Sequence, residues 1–208
     1  MIIALSGYAG TGKDEIANKI CELYPGWKVK KFAGKLKEVS SLLTGLPIES
    51  FEDRLVKDMT LEGWGMTVRE FLQKLGTEAI RDNLHQDAWV NALISEYNRS
   101  MEFVRVCSTC NTESTLPICL SCKTNTLVDK CITNWVVTDC RFPNEADQIR
   151  RCGGFVIRVK RPYTKPVNAH ISEVSLDGYK FDYTFHNDSD IEHITTKVKF
   201  MFRQLNLC

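Results

Sequence analysis

Residues 2–20 read IIALSGYAGTGKDEIANKI, a short apolar run followed by a glycine-rich turn and an amphipathic segment. The run over residues 2–6 is continuously apolar up to Ser6, which is typical of a strand buried on both faces of a parallel sheet. Residues 14–23 carry apolar side chains at the spacing of a helix. The stretch therefore predicts a buried strand, a tight turn that begins at Gly7, and a helix.

The turn between this strand and this helix matches the pattern G-x-x-x-x-G-K, from Gly7 to Lys13. Glycines let backbone amides curl around phosphate oxygens, the helix N-terminus adds partial positive charge, and Lys13 supplies a point charge for the β- and γ-phosphates. Asp14 follows, where Ser or Thr usually ligates Mg²⁺. Its carboxylate either holds magnesium, directly or through water, or serves as the N-terminal charge of the helix. We expect a nucleotide phosphate site with a magnesium-related role for Asp14.

Strands and helices alternate along the rest of the chain, which predicts an α/β fold, a three-layer sandwich with a parallel central sheet and helices on both faces. Predicted strands cover residues 27–32, 135–138, 155–159 and 183–186, and predicted helices cover residues 36–43, 68–75, 88–97, 145–151 and 191–205, with a short helix near residue 170. Thr67 and Glu70 form a capping-box pattern. We expect Gly76 to interrupt the helix that follows and Thr77 to cap another.

Four of the nine cysteines lie within sixteen residues and form two Cys-x-x-Cys pairs, Cys107 with Cys110 and Cys119 with Cys122. Each pair can bind one side of a tetrahedral metal, and four thiolates make a closed, structural zinc site. An iron–sulfur cluster, a redox dithiol and free cysteines are the alternatives. The surrounding segment lacks helical periodicity. We therefore predict one domain over residues 1–208, with a zinc-ribbon insertion over residues 104–131.

Charge and composition exclude several classes of protein. Lys and Arg number 27 and Asp and Glu number 26, a net charge of +1, which does not favour a nucleic-acid-binding protein. No stretch approaches the roughly 20 apolar residues of a membrane span, and the N-terminus lacks the pattern of a signal peptide. A secreted disulfide scaffold with nine cysteines would be smaller and would carry an export signal, so we expect a reducing compartment and a cytoplasmic protein.

Polar residues after the strand at residues 135–138 form a second candidate site. Asp139 follows this strand, at the sheet edge where open α/β sheets bind ligands, and can hold magnesium or a substrate hydroxyl. Arg141 can bind a phosphate through two nitrogens; a salt bridge to a nearby helix is the alternative. Arg69 and Gln73 share a helix face and could clamp a phosphate and a base edge, or simply face solvent.

A basic run from Arg158 to Lys165 leads into a proline-containing loop. Loops that carry arginine close over transferring phosphates in many kinases, which suits Arg161, although a solvated surface has the same composition. His170 begins the next helix and is expected to anchor or cap it.

The order of these motifs resembles the viral deoxynucleoside monophosphate kinases, a P-loop kinase family related in fold to adenylate kinase. The resemblance spans residues 2–194. The motifs that carry it are the Lys13-Asp14 end of the loop, Arg69-x-x-x-Gln73-x-x-Gly76-Thr77-Glu78, Trp89-Val90, Asp139-x-Arg141-x-x-x-Glu145, Arg161-Pro162, His170-Ile171-Ser172-Glu173 and Asn187-Asp188.

The resemblance implies transfer of the γ-phosphoryl group of ATP to a deoxynucleoside 5′-monophosphate, with Mg²⁺. Lys13, Arg141 and Arg161 would be catalytic. The ATP site would comprise Gly7, Gly10, Thr11, Gly12, Lys13, Asp14, Glu15 and Asn187. The acceptor site would comprise Lys37, Arg69, Gln73, Thr77, Trp89, Asp139, Arg141, Glu145 and His170. The four-cysteine insertion departs from the simplest family pattern, and either a lid or a brace fits its place in the chain.

Two other functions remain open at this point. The same fold phosphorylates other acceptors in the phosphomevalonate and dephospho-coenzyme A kinases, which are similar around the Lys-Asp loop and the Asp-x-Arg motif. A nucleic-acid-binding ATPase that uses the zinc ribbon is the second alternative, and the near-zero net charge argues against it. We expect a small-molecule nucleotide partner, neither nucleic acid nor membrane, and the host cytoplasm if the protein is viral; a homodimer is left open.

Overall fold

A central sheet of five parallel strands organises the computed structural model, which describes residues 1–165, 174–188 and 191–207. The strands along the chain are Ile2–Ser6 (β1), Trp27–Lys30 (β2), Thr60–Leu61 (β3), Met66–Thr67 (β4), Phe103–Cys107 (β5), Leu127–Cys131 (β6), Asn134–Val137 (β7), Phe155–Lys160 (β8) and Tyr183–His186 (β9). The order across the central sheet is β2-β7-β1-β8-β9. Because all neighbours are parallel, the carboxyl ends of these strands share one edge.

Helices cover both faces of this sheet. They are Lys13–Leu23 (α1), Phe32–Thr44 (α2), Arg54–Lys57 (α3), Val68–Gln73 (α4), Ala88–Arg99 (α5), Pro143–Arg151 (α6) and Ile191–Gln204 (α7), with a 3₁₀ turn at Ile48–Phe51 and a π-helical segment at Lys74–Asp82. The predicted α/β fold, with a parallel central sheet between two helical layers, is confirmed.

Strand β1 shows why the fold has three layers, since all five of its residues are buried. Its side chains alternate between two cores: Ile2 and Ala4 pack with residues of α2, α5 and α6, while Ile3 and Leu5 pack with residues of α1 and α7. Each fully buried Ile or Leu contributes roughly 1.5–3 kcal/mol. A continuous apolar run therefore fits only a strand in the middle of the sandwich.

Helix α2 begins at Phe32, four residues earlier than predicted, and β2 ends at Lys30, earlier than its predicted end. The cause is Asp139, whose carboxylate accepts hydrogen bonds from the backbone N–H groups of Phe32 (2.7 Å) and Ala33 (3.0 Å). A carboxylate there satisfies the free amides of the first turn.

The predicted interruption at Gly76 and the predicted cap at Thr77 are wrong, because the chain continues from α4 into the π-helical segment Lys74–Asp82. The capping box of Thr67 and Glu70 at the start of α4 is confirmed. A Cβ on Gly76 would lie 2.8 Å from Cδ2 of Leu36, so glycine here allows α2 to approach closely. The Gly76 carbonyl accepts a hydrogen bond from Nε1 of Trp89 at 2.9 Å.

Strands β5 and β6 pair with each other as an antiparallel ribbon outside the central sheet. The ribbon leaves the core after α5 and returns just before β7, where the amide of Ile132 donates to the carbonyl of Glu102 (2.9 Å) and the amide of Glu102 donates to Oγ1 of Thr133 (2.9 Å). Thr133 also accepts a hydrogen bond from the N-terminal amine of Met1. The ribbon is thus rooted at the amino ends of β1 and β7.

None of the helices within the described residues has both the length and the apolar character that crossing a membrane requires.

Candidate functional site

The glycine-rich turn leaves the carboxyl end of β1 and enters α1, as predicted for a phosphate loop. Gly12 precedes the helix with φ +87°, a conformation that favours glycine. The buried side chain of Asn187 donates to the carbonyl of Thr11 at 2.9 Å, which ties the loop to the residue after β9. Helix α1 therefore presents its free amides at the carboxyl edge of the sheet, where they can bind an anion.

Lys13 and Asp14 lie in the first turn of α1 and carry opposite charges. Nζ of Lys13 donates to the carbonyls of Gly7 (2.6 Å) and Tyr8 (2.8 Å), so the ammonium lies across the loop. Oδ1 of Asp14 accepts from Oγ1 of Thr138 at 2.7 Å and lies 3.4 Å from Nζ of Lys31. The Asp14 carboxylate is an oxygen ligand beside the phosphate loop, which suits a magnesium ion.

Gly12→Ala tests how tightly this loop is built, with Gly26→Ala as its control. Both glycines have positive φ, so alanine costs about 1 kcal/mol of stability at either position. At Gly26 the new Cβ meets open space, whereas at Gly12 it clashes with Nδ2 of Asn187. If the loop is the nucleotide phosphate site that the sequence predicts, Gly12→Ala should raise the KM for ATP at least about tenfold and Gly26→Ala should leave it unchanged. Equal KM values would contradict the tight packing of the loop against Asn187.

Two arginines from the other neighbour of β1 approach the loop: Arg158 lies within β8, and Arg161 follows it. Nη1 of Arg161 lies 3.4 Å from the carbonyl oxygen of Gly10. The buried guanidinium of Arg158 lies over the ring of Tyr8 at 4.8 Å and pairs with Asp177 at 2.6 Å. Tyr8 donates its hydroxyl proton to the same Asp177 carboxylate. The loop is thereby braced from β8, and Arg161 stands beside it.

A cavity of about 340 Å³ lies next to the loop, at the carboxyl end of β7. It contains six of the predicted acceptor-site residues, from three separate stretches of the chain. The residues that line it are Phe32, Ala33, Leu36, Leu72, Gln73, Gly76, Thr77, Arg81, Trp89, Asp139, Arg141, Phe142 and Glu145. Apolar and aromatic walls with a few converging polar groups are typical of a site for a small molecule.

Two carboxyl groups in this cavity have raised pKa values. Burial raises the pKa of Asp139, although the amides of Phe32 and Ala33 favour its charged form. Burial also raises the pKa of Glu145 to about 7, against the hydrogen bonds it accepts from the amides of Arg141 (2.7 Å) and Phe142 (3.1 Å). Perturbed carboxyl groups in a cleft indicate a functional site.

Three predicted acceptor-site residues are not among the lining residues. Lys37, whose side chain is largely buried, forms an ion pair with Glu52, and Arg69 pairs with Asp58 at 2.8 Å on the surface. His170 lies outside the described residues. Glu15, predicted for the ATP site, is exposed in the first turn of α1.

Two cations at the site were not predicted from the sequence. Lys31 precedes α2 and contacts Asp14, and Arg81 lines the acceptor cavity from the π-helical segment. The sequence offered no signal for either residue, since Lys31 falls inside the strand predicted over residues 27–32 and Arg81 belongs to none of the motifs above.

The four cysteines of the ribbon lie close together, and their Sγ atoms are all within 4.8 Å of one another. Sulfurs of a tetrahedral zinc site lie about 3.8 Å apart, given Zn–S bonds of about 2.3 Å. The two Cys-x-x-Cys turns have the same geometry. The residue after the second cysteine of each pair, Asn111 or Lys123, has positive φ. Its amide donates a hydrogen bond to the carbonyl of the first cysteine, Cys107 or Cys119, at 2.8 Å in both turns. Such paired turns present sulfurs to one point.

Hydroxyl groups surround these sulfurs. The side chains of Thr124 and Thr126 lie 3.5 and 3.4 Å from Sγ of Cys107, and their hydrogen bonds lower the pKa of this thiol to about 4. Because zinc binds the thiolate form, this environment fits a metal ligand.

The chain is similar in sequence to several known proteins. Residues 118–198 match the family model described as deoxynucleotide monophosphate kinase. A protein of Acanthamoeba polyphaga mimivirus, named provisionally as a deoxynucleotide monophosphate kinase, is 27% identical over 209 residues, which cover 95% of this chain and 94% of that protein. The deoxynucleotide monophosphate kinase of Enterobacteria phage T4 is 28% identical over 133 residues, 64% of this chain and 44% of that protein.

Among solved structures, shikimate kinase from Bacteroides thetaiotaomicron superposes with a TM-score of 0.50 at 13% identity, covering 100% of this chain and 99% of that one. At this identity the similarity shows the fold alone, which this chain shares with shikimate kinase.

Proposed function

We propose that this chain, which is related in sequence to viral deoxynucleotide monophosphate kinases and has the fold of the P-loop kinases, transfers the γ-phosphoryl group of ATP to a deoxynucleoside 5′-monophosphate. One observation carries the proposal: the phosphate loop and the acceptor cavity meet at Thr138 and Asp139. Thr138 bonds to Asp14 of the loop, and Asp139 lines the cavity. Donor and acceptor phosphates would therefore meet at the end of β7.

On the donor side, the loop amides and Lys13 would hold the β- and γ-phosphates of ATP, and Asn187 would support the loop from behind. Asp14 offers an oxygen ligand for Mg²⁺ at the place where those phosphates would lie. Magnesium, when bound, neutralises charge on the phosphate oxygens. Lys31, paired with Asp14, keeps a positive charge between the two substrates.

On the acceptor side, Arg141 would bind the monophosphate, and Gln73, Thr77 and Trp89 would line the nucleoside. Arg161, beside Gly10, would neutralise charge that develops on the transferring group. Phosphoryl transfer depends on alignment and charge stabilisation more than on proton abstraction, so this set of residues is sufficient without an activated nucleophile.

We further propose that residues 104–131 form a zinc ribbon inserted into a single kinase domain of residues 1–208, with one structural Zn²⁺ on Cys107, Cys110, Cys119 and Cys122. The root of the ribbon at the amino ends of β1 and β7, opposite the phosphate loop, favours a brace over a lid.

The net charge of +1 supports a small nucleotide as the partner rather than nucleic acid, and the viral relatives support the host cytoplasm as the compartment.

The test is ATP turnover with Mg²⁺ against deoxy- and ribonucleoside monophosphates, phosphomevalonate and dephospho-coenzyme A, with a control that lacks acceptor. We expect ADP formation only when a deoxynucleotide is present. If ADP forms with phosphomevalonate or dephospho-coenzyme A but with none of the nucleotides, the chain is a kinase of the same fold that acts on a different acceptor. Equal turnover without any acceptor would indicate an ATPase and overturn the proposal.

A further inference from the structure

The carboxylate of Asp14 in the phosphate loop is held by a hydroxyl group from the end of a neighbouring strand. Thr138, the residue after β7, donates its hydroxyl proton to Oδ1 of Asp14 at 2.7 Å, across 124 positions of the chain. Thr138 is 2% exposed, so its hydroxyl is shielded from water and this hydrogen bond fixes the direction in which it points. The side chain of Asp14 is 66% exposed, which leaves the carboxylate open to a ligand from solvent.

Asp14 has one close partner and one more distant partner. Nζ of Lys31 lies 3.4 Å from Oδ1 of Asp14, longer than a normal hydrogen bond, and 3.9 Å from Oε1 of Glu52. Lys31 therefore has a second carboxylate beside it, and the contact that defines the position of Asp14 is the one from Thr138. Both contacts fall on Oδ1, and Oδ2 takes part in neither of them.

Asp139, the carboxylate next to Thr138, is engaged by a helix. Its Oδ1 accepts a hydrogen bond from the amide of Phe32 at 2.7 Å, and its Oδ2 accepts one from the amide of Ala33 at 3.0 Å. Both oxygens therefore serve the first turn of α2. Of the two carboxylates that the sequence offers for magnesium, Asp14 is the one that no backbone amide of α2 holds in this way.

In P-loop NTPases, magnesium is held by a Ser or Thr of the loop together with an Asp from a second motif. This chain joins the same two groups by a hydrogen bond, but their places are exchanged, since the loop supplies the carboxylate and the strand end supplies the hydroxyl.

We infer that Thr138 and Asp14 are an inverted form of this pair, in which Thr138 is a positioning residue that orients Asp14 as a magnesium ligand. A carboxylate that is already oriented loses less conformational freedom when an ion binds. This inference rests on the proposed function for the nucleotide whose phosphates share the ion.

The experiment measures binding of Mn²⁺, which prefers the same oxygen ligands as Mg²⁺, to protein saturated with ADP, so that no turnover occurs. Electron paramagnetic resonance measures the free ion, and ADP binding in EDTA measures the loop without any ion. Thr138→Val keeps the shape of the side chain and removes the hydroxyl, and Thr138→Ser restores the hydroxyl. Thr195→Val is the matched control, since Thr195 is partly buried in α7 and belongs to neither candidate site.

We expect Thr138→Val to raise the Kd for Mn²⁺ at least about tenfold, and Thr138→Ser and Thr195→Val to stay within about threefold of wild type. The Kd for ADP in EDTA should change less than about twofold in all three variants. Thermal unfolding identifies a variant that fails to fold, and Thr138→Ala replaces the valine variant in that case. Unchanged Mn²⁺ binding without the hydroxyl, or an equal loss of ADP binding in EDTA, would overturn the inference.

A double-mutant cycle tests whether Thr138 acts through Asp14. Asp14→Asn should itself weaken Mn²⁺ binding, and adding Thr138→Val to it should then raise the Kd less than about twofold further. Losses that add in full would show that Thr138 acts in another way and would contradict the inference. A loss of Mn²⁺ binding in Asp139→Asn but not in Thr138→Val would assign the ion to Asp139, with the same consequence.

Ion binding and phosphoryl transfer are measured separately, so this inference and the proposed function can fail independently. A wild type that binds Mn²⁺ through Thr138 and Asp14 but transfers no phosphoryl group to a deoxynucleotide would overturn the function and leave the inference standing. Transfer to a deoxynucleotide by a protein whose Mn²⁺ binding does not depend on Thr138 would do the reverse.

Discussion

Replacing Lys13 with alanine is expected to lower kcat by about 1,000-fold, because removal of one fixed cation or donor at a transition-state charge typically costs 10²–10³-fold. Nζ of Lys13 donates to the carbonyls of Gly7 and Tyr8, which both belong to the loop, so we expect its loss to disturb the loop more than the sheet. We therefore expect the unfolding temperature of Lys13→Ala to remain within a few degrees of wild type, as surface changes usually have small effects. Steady-state turnover and thermal unfolding are the two measurements.

Lys19→Ala is the control for this variant. Lys19 lies on the same helix and pairs with Glu22 at 2.6 Å on the surface, an interaction that contributes little. Its turnover should match that of wild type. A Lys13→Ala protein that kept near-normal turnover would show that the glycine-rich turn is not the ATP site.

Replacing Cys107 with serine is expected to remove zinc from the protein. A site of four thiolates that loses one ligand loses most of its affinity, so metal analysis should fall from one zinc ion per chain to less than about 0.2. The ribbon should become sensitive to protease, since little else in this hairpin forms a core. Because the ribbon is rooted opposite the phosphate loop, we expect kcat to stay within about threefold of wild type at low temperature.

Cys152→Ser is the matched control, since Cys152 is a partly buried cysteine outside the cluster. It should retain one zinc ion and a protease-resistant ribbon. Absence of zinc from wild-type protein purified without chelator would contradict the metal site. A large loss of kcat in Cys107→Ser alone would indicate that the ribbon acts as a lid.

The features predicted correctly from the sequence are those encoded by neighbouring residues. The apolar run of β1, the glycine turn before α1 and the capping box at Thr67 each depend on side chains within a few positions of one another. The start of α2 could not be predicted in this way, because it is fixed by Asp139, which is 107 residues away from Phe32. The π-helical segment was missed for the same reason: Leu36 and Trp89 contact Gly76 from other helices.

The candidate site also contains residues that could be predicted from local sequence and residues that could not. Motif residues such as Asp139, Arg141 and Glu145 line the cavity because a strand end and a helix start fix their positions. Lys37 was assigned to the acceptor site by resemblance, yet its ammonium pairs with Glu52 on another face of α2. Arg81 has no motif, and only the packing of the π-helical segment against α6 reveals it. The individual roles of the site residues stay predictions.

The hydrogen bonds that join Glu102 to Ile132 and Thr133 hold the two ends of the cysteine ribbon next to each other. An inserted segment whose two ends lie side by side can be gained or deleted in a single genetic event, because a tight turn can replace it without moving α5 or β7. A shorter connection between α5 and β7 would therefore leave the carboxyl edge of the sheet, where the phosphate loop lies, as it is.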